Sequence, residues 1–98
     1  MRLIYHPDAE AELLEALRSY EAKDRGLGDR FLHEFDAAIT SIQASPDRWR
    51  VVEHDVRRFL MRRFPYGIYY RAEGDELRIL VVKHHSRHPD YWKYRLGS

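Results

Sequence analysis

The sequence predicts an α+β domain in which a helical hairpin packs on a small, mainly antiparallel four-stranded sheet, in the order β-α-α-β-β-β. Two stretches between residues 8 and 45 carry apolar residues at helical spacing, and a pair of glycines separates them. Three β-prone stretches follow between residues 57 and 83, with turn residues between them. A short apolar segment at residues 2–5 supplies the remaining strand.

The first strand and the first helix are delimited by a proline. Residues 2–5 read Arg-Leu-Ile-Tyr, and His6-Pro7 ends the strand that they predict. Pro7 favours the first turn of a helix, where its missing N–H is not needed. The next apolar residues lie three and four positions apart, at Ala9, Leu13, Ala16, Leu17 and Tyr20. This spacing predicts an amphipathic helix over residues 8–24.

The second helix begins after a glycine-rich turn. Gly26-Leu27-Gly28 breaks the first helix, because two glycines within three residues permit a tight turn between helices. A second apolar stripe then runs through Phe31, Phe35, Ala38, Ile39 and Ile42. It predicts a helix over residues 28–44 that Ser45-Pro46-Asp47 ends. Two helices alone form too small a core, so one face of the hairpin must cover the sheet.

The second half of the chain has the pattern of a meander. Residues 47–55 are mostly polar and predict a connector, and residues 57–64 predict a strand that Pro65 interrupts. Residues 66–71 predict an aromatic strand, and Gly74 in segment 73–75 indicates a hairpin turn. Residues 76–83 are almost continuously apolar, which indicates a strand buried on both faces. Pro89 ends regular structure before the aromatic tail at residues 91–95.

Length and composition exclude several classes of protein. The 98 residues predict a single domain spanning residues 1–98. No apolar run is long enough to cross a membrane, and the N-terminus lacks the apolar core of a secretory signal. We therefore expect a cytoplasmic protein. With no cysteine, the chain has neither disulfides nor thiolate chemistry.

Charge is distributed unevenly along the chain. Residues 1–56 contain 7 Lys/Arg against 12 Asp/Glu, whereas residues 57–98 contain 10 against 4. Such asymmetry indicates a basic surface for an anionic partner, or else an acidic helical layer that neutralises a basic sheet. The histidines within residues 84–88 lie beside arginine and lack paired carboxylates, which argues against a metal site. We expect neither a metal nor another cofactor.

Two segments carry a family resemblance. Residues 57–70 place a basic strand before Phe-Pro-Tyr and a strand rich in isoleucine and tyrosine. Residues 79–92 run from an apolar strand into histidines, Arg87, Pro89 and Tyr91-Trp92. In this order, and after a first strand followed by Pro-Asp-Ala-Glu, the segments resemble the RelE/ParE superfamily of toxins, often called plasmid stabilisation proteins.

The resemblance implies the toxin of a type II toxin–antitoxin system, whose cognate antitoxin folds on the toxin surface. It does not assign the antitoxin-binding residues. ParE-like members of the superfamily poison DNA gyrase, and RelE-like members cleave messenger RNA on the ribosome. ParE-like inhibition of bacterial growth is our first hypothesis, and a metal-independent, ribosome-dependent endoribonuclease is the alternative. A third hypothesis is a non-toxic nucleic-acid-binding module, since tyrosines on a basic sheet can stack on bases.

Candidate site residues follow from the chemistry of RNA cleavage and from the resemblance. Cleavage at a 2′-hydroxyl requires a base, an acid and a cation for the developing charge. The resemblance places the candidate catalytic residues at His85, Tyr91 and Arg58, and the chemistry adds Arg87. For target binding, we predict Arg58, Arg62 and Arg87.

One expected basic residue is missing, and every candidate has a structural alternative. The RelE-like branch has a basic residue directly after the aromatic that opens the third strand, and here that position is Gly67. This substitution favours the ParE-like hypothesis. Arginines on an edge strand also prevent aggregation, and Tyr91 can instead cover the open end of the core.

Overall fold

The computed structural model describes all 98 residues and shows two helices against one five-stranded sheet. In chain order the elements are β1 (Arg2–Tyr5), α1 (Pro7–Lys23), α2 (Leu27–Ala44), β2 (Val51–Glu53), β3 (Val56–Leu60), β4 (Tyr66–Glu73), β5 (Glu76–His84) and a terminal 3₁₀ helix (Lys93–Gly97). Across the sheet the strands lie in the order β1-β5-β4-β3-β2; β1 is parallel to β5, and the other pairs are antiparallel. The predicted fold class is confirmed. Neither helix is long and apolar enough to cross a membrane.

The turn between the helices depends on two glycines and one glutamate. Gly26 has a φ of 86°, in the left-handed region that favours glycine. At Gly28, a Cβ would lie 2.9 Å from the carbonyl oxygen of Leu17, so α1 and α2 can approach only because that atom is missing. The carboxylate of Glu21 accepts the N–H groups of both glycines at 3.1 Å. The predicted helical hairpin is thereby closed.

The main core lies between the helices and one face of the sheet. The apolar side of α2 is fully buried at Phe31, Phe35 and Ile42. From β4 and β5, Ile68 and Ile79 face this layer and are also fully buried. The predicted helical stripes therefore form the core.

The opposite face of the sheet, called the far face, has a smaller core. A bulge in β5 makes it possible: Tyr69 pairs with Val81 and Tyr70 with Ile79, so Leu80 is an extra residue. Leu80 and Val81 consequently both belong to the far-face cluster, where Trp92 of the tail packs 5.1 Å from the ring of Tyr69. This confirms the prediction that β5 is buried on both faces.

The sheet has five strands, not the four predicted. The additional strand, β2, lies within the segment predicted to be a connector, and Val51 pairs with Arg57 of β3. Only three residues long, it has too short a pattern to be distinguished in the sequence from a polar loop.

The predicted strand 57–64 is also too long, since β3 ends at Leu60. Glu34 of α2 causes this difference: its Oε1 accepts the backbone N–H groups of Arg62 and Arg63, each at 3.0 Å. Those donors are thereby withdrawn from strand pairing, and residues 61–65 turn towards α2. Arg62, which the predicted strand included together with Arg58, therefore lies beyond the end of β3.

Candidate functional site

A single carboxylate on α1 positions the tail of the chain. Glu12 has a side chain that is only 11% exposed and accepts hydrogen bonds from three residues. Oε1 accepts from the backbone N–H of Val82 at 3.0 Å and from Arg95 Nη1 at 2.8 Å. Oε2 accepts from the Tyr91 hydroxyl at 2.6 Å. Glu12 therefore joins α1, β5 and the tail.

The same network supplies hydrogen bonds to backbone groups of β5 that no neighbouring strand reaches. Strand β1 pairs with β5 only as far as Ile79, so Leu80 and Val82 lie beyond its end. Arg95, 3% exposed, donates from Nη1 to the carbonyl oxygen of Leu80 at 2.9 Å, and Glu12 accepts the N–H of Val82. An ion pair thus satisfies backbone groups that a longer strand would have satisfied.

Sequence reasoning did not single out Glu12 or Arg95. One signal was present, because Glu12 lies three residues after Ala9 and four before Ala16, on the apolar side of α1. A charged residue within an apolar stripe indicates a buried partner. Nothing in the sequence pointed to Arg95 as that partner.

The structure brings Arg87 and Tyr91, two of the predicted site residues, together. The Arg87 guanidinium lies 3.8 Å from the centre of the Tyr91 ring, and its Nη1 lies 3.8 Å from Oε2 of Glu12. Burial raises the pKa of Tyr91, and its hydrogen bond to Glu12 raises this pKa further. At neutral pH the hydroxyl therefore keeps its proton, and Arg87 lies across the ring with a half-exposed side chain.

Three histidines lie at or just beyond the end of β5. His85 is exposed, and its backbone N–H donates to the carbonyl oxygen of Pro65 at 2.8 Å. The Nδ1 of His84 accepts the N–H of Ser86, and the Nδ1 of His88 accepts the N–H of Asp90, both at 3.0 Å. His84 and His88 thus stabilise local turns, whereas the ring of His85 has no hydrogen-bond partner.

The uncovered end of the far face is basic. Gly67 of β4 pairs with Leu60 of β3 on one side and with Lys83 of β5 on the other. Lys83 is 6% exposed, and its Nζ donates to the carbonyl oxygen of His84 at 3.2 Å. Burial lowers the pKa of Lys83, and the positive charges of Arg58 and Arg87 lower it further. Sequence reasoning missed Lys83, which follows the apolar residues of β5.

The predicted arginines therefore divide between two places. Arg58 and Arg87 lie close enough to Lys83 for their charges to act on it. Arg62 lies instead beside α2, where it lines a surface groove with Glu34 and Ala37. The candidate site is accordingly the basic end of the far face, with Arg58, Lys83 and Arg87, next to the network of Tyr91.

The other end of the far face is covered by the tail. Arg71 of β4 is buried and donates to the carbonyl oxygens of Ser98 at 2.7 Å and Leu96 at 3.0 Å. Its Nε donates to Asp55 at 2.9 Å. Arg71 and Glu12 therefore hold the tail at two places, and the tail covers part of the far face.

Comparisons with known proteins agree with this architecture. Residues 3–89 match a family described as the ParE toxin of the type II toxin-antitoxin system, parDE. A solved structure described as the chromosomal ParDE TA system from P. aeruginosa matches with a TM-score of 0.69 at 22% sequence identity. The match covers 86% of this chain and 95% of that one, and at this identity it shows the shared fold alone. No curated protein matches the chain.

Proposed function

The chain belongs to the family of ParE toxins of type II toxin–antitoxin systems, and we propose that it stops bacterial growth by acting on DNA gyrase. The observation that carries the proposal is the family match over residues 3–89, which contains the basic segment before β4 and all of β5. The partner that neutralises the toxin would be a cognate antitoxin, as the ParDE system implies.

We place the gyrase contact at the basic end of the far face. Arg58 forms no ion pair with any carboxylate, and the Arg87 side chain is 53% exposed. Arg58 has no internal counterion, and Arg87 reaches Glu12 only at 3.8 Å and stays half-exposed, so both cations are available to an acidic surface, which they attract over several ångströms. Arg62 would make a separate contact, because it lies beside α2.

Three features support protein contact over RNA cleavage. A general base must be able to lose its proton near neutral pH, and the Tyr91 hydroxyl is held protonated by burial and by Glu12. A catalytic histidine is normally oriented by a second group, and the ring of His85 has no hydrogen-bond partner. The glycine at position 67 also removes one cation that the ribonuclease branch uses.

Supercoiling by purified gyrase tests the proposal. We expect the purified chain to inhibit ATP-dependent supercoiling of relaxed plasmid, and Arg58→Gln with Arg87→Gln to lose this inhibition. Arg78→Gln is the control, since it removes one arginine charge from the end of the far face that lies away from Gly67. Full supercoiling at toxin excess, together with cleavage of ribosome-bound messenger RNA, would support the ribonuclease alternative.

A further inference from the structure

The turn after β5 joins a serine hydroxyl to a histidine ring. Oγ of Ser86 lies 2.8 Å from Nδ1 of His84, and the backbone N–H of Ser86 donates to the same nitrogen at 3.0 Å. A backbone N–H can only donate, so Nδ1 must be the acceptor and carries no proton. The hydroxyl therefore also donates to Nδ1. Because Ser86 is exposed, its oxygen is accessible to a reagent in solution.

The hydroxyl distinguishes this turn from two similar turns in the chain. Nδ1 of His6 and Nδ1 of His88 each accept the backbone N–H two residues further along, at 3.0 Å. Neither of these turns has a hydroxyl on the ring, so the backbone bond alone is enough to form them. The hydroxyl of Ser86 is accordingly an addition to the turn, and it places a nucleophilic oxygen beside an unprotonated ring nitrogen.

Positive charge and a cavity adjoin this pair. Arg87 directly follows Ser86, and its side chain is 53% exposed. His84 and Arg87 both line a cavity of about 100 Å³, which Tyr66 and Glu15 also border. A cavity of this volume has room for a short acyl group. A guanidinium at its border suits the negative charge that develops on a carbonyl oxygen when a nucleophile attacks it.

We propose that Ser86 is a nucleophile that activated esters acylate, with His84 as its general base. Oγ of Ser86 forms a bond to the carbonyl carbon of the ester, while Nδ1 of His84 takes the hydroxyl proton. The bond from this carbon to the leaving oxygen then breaks, and His84 returns the proton to that oxygen. The products are an ester on Ser86 and a free alcohol, so the step needs no further reactant.

The reaction of the purified chain with p-nitrophenyl acetate tests this proposal. Mass spectrometry of tryptic peptides, taken at a series of times, measures the rate of acetylation at each serine. Ser41 is the internal control, because it is exposed on α2 and no histidine bonds its hydroxyl. We expect Ser86 to react at least about tenfold faster than Ser41, since a positioned general base accelerates such steps by two or more orders of magnitude.

His84→Asn separates the base from the turn. An asparagine side chain accepts the backbone N–H two residues further along, so the turn is kept, but its amide oxygen does not take up a proton. Acetylation of Ser86 should therefore slow at least about tenfold in this variant. His88→Asn is the matched control, since it makes the same replacement in a turn without a hydroxyl, and it should leave the rate unchanged.

Three results would overturn the proposal. Ser86 could react no faster than Ser41, His84→Asn could keep the native rate, or the acetyl group could be found on His84 in place of Ser86. Circular dichroism checks that both variants are folded. The assay contains neither gyrase nor an antitoxin, so its outcome is independent of the proposed target.

Discussion

The hydroxyl of Tyr91 donates a 2.6 Å hydrogen bond to Glu12, although 79 positions separate them in the sequence. Arg95 reaches the same carboxylate at 2.8 Å from the 3₁₀ helix. Through these two bonds, one side chain of α1 fixes the tail against the open edge of β5. The position of Arg87, which lies across the Tyr91 ring, therefore depends on Glu12.

Removing the charge of Glu12 should destabilise the fold strongly. Glu12→Gln leaves Arg95 buried without a counterion, and breaking such a pair from one side costs about 3–5 kcal/mol. Urea unfolding followed by circular dichroism measures the loss. Glu10→Gln is the control, since this residue is exposed on the same helix. Equal stability of the two variants would show that the ion pair does not hold the tail.

Tyr91→Phe separates a structural role of the hydroxyl from a chemical one. The ring stays in place beneath Arg87, and the hydrogen bond to Glu12 is lost, at a cost of about 1–2 kcal/mol. We expect the variant to be less stable and still to inhibit growth on induction. Growth at the uninduced rate by cells with normal levels of folded variant would instead assign the hydroxyl to catalysis.

Alkaline pH should destabilise the protein through Tyr91. Burial first, and then Glu12, raise its pKa in the folded state above the ordinary 10.0, so above pH 10 the folded state holds a proton that the unfolded state releases. This contribution to the free energy of unfolding is complete below pH 10 and declines as pH rises through the folded-state pKa. The free energy of unfolding, measured by urea titration at a series of pH values above 10, should decrease more steeply with pH for the native chain than for Tyr91→Phe. Parallel curves would contradict this account.

Lys83→Met should increase the stability of the fold. Burial and the neighbouring arginines lower the pKa of Lys83, which means that its charged form is disfavoured in the folded state. This penalty is fully present at neutral pH and disappears only as pH rises towards 10.5, the ordinary value for lysine. Methionine has a similar volume and no charge, so the melting temperature should rise. A lower melting temperature would assign Lys83 a structural role.

The helical hairpin and β5 are predictable because their signals are local. Gly26 and Gly28 break the first helical pattern within three residues, and the apolar run of β5 is continuous in the sequence. The end of β3 is different, since it is set by Glu34, which lies 28 positions before Arg62. No periodicity within residues 57–64 could reveal that contact.

The site is less predictable than the fold for the same reason. Arg87 and Tyr91 were found because they lie in one recognisable segment, and the structure brings them together. Glu12 and Lys83 were missed because burial decides their importance, and burial depends on the tail and on Gly67 of the neighbouring strand. The spacing of residues in the sequence does not show which charged side chain is buried in the folded chain.

The most direct test of the central claim is pulse-labelling of DNA and protein synthesis during the first minutes after induction in bacteria without an antitoxin. A toxin that acts on gyrase should stop DNA synthesis first, and Arg58→Gln with Arg87→Gln should abolish this effect while Arg78→Gln retains it. If protein synthesis stops first, the gyrase proposal is wrong and RNA cleavage takes its place.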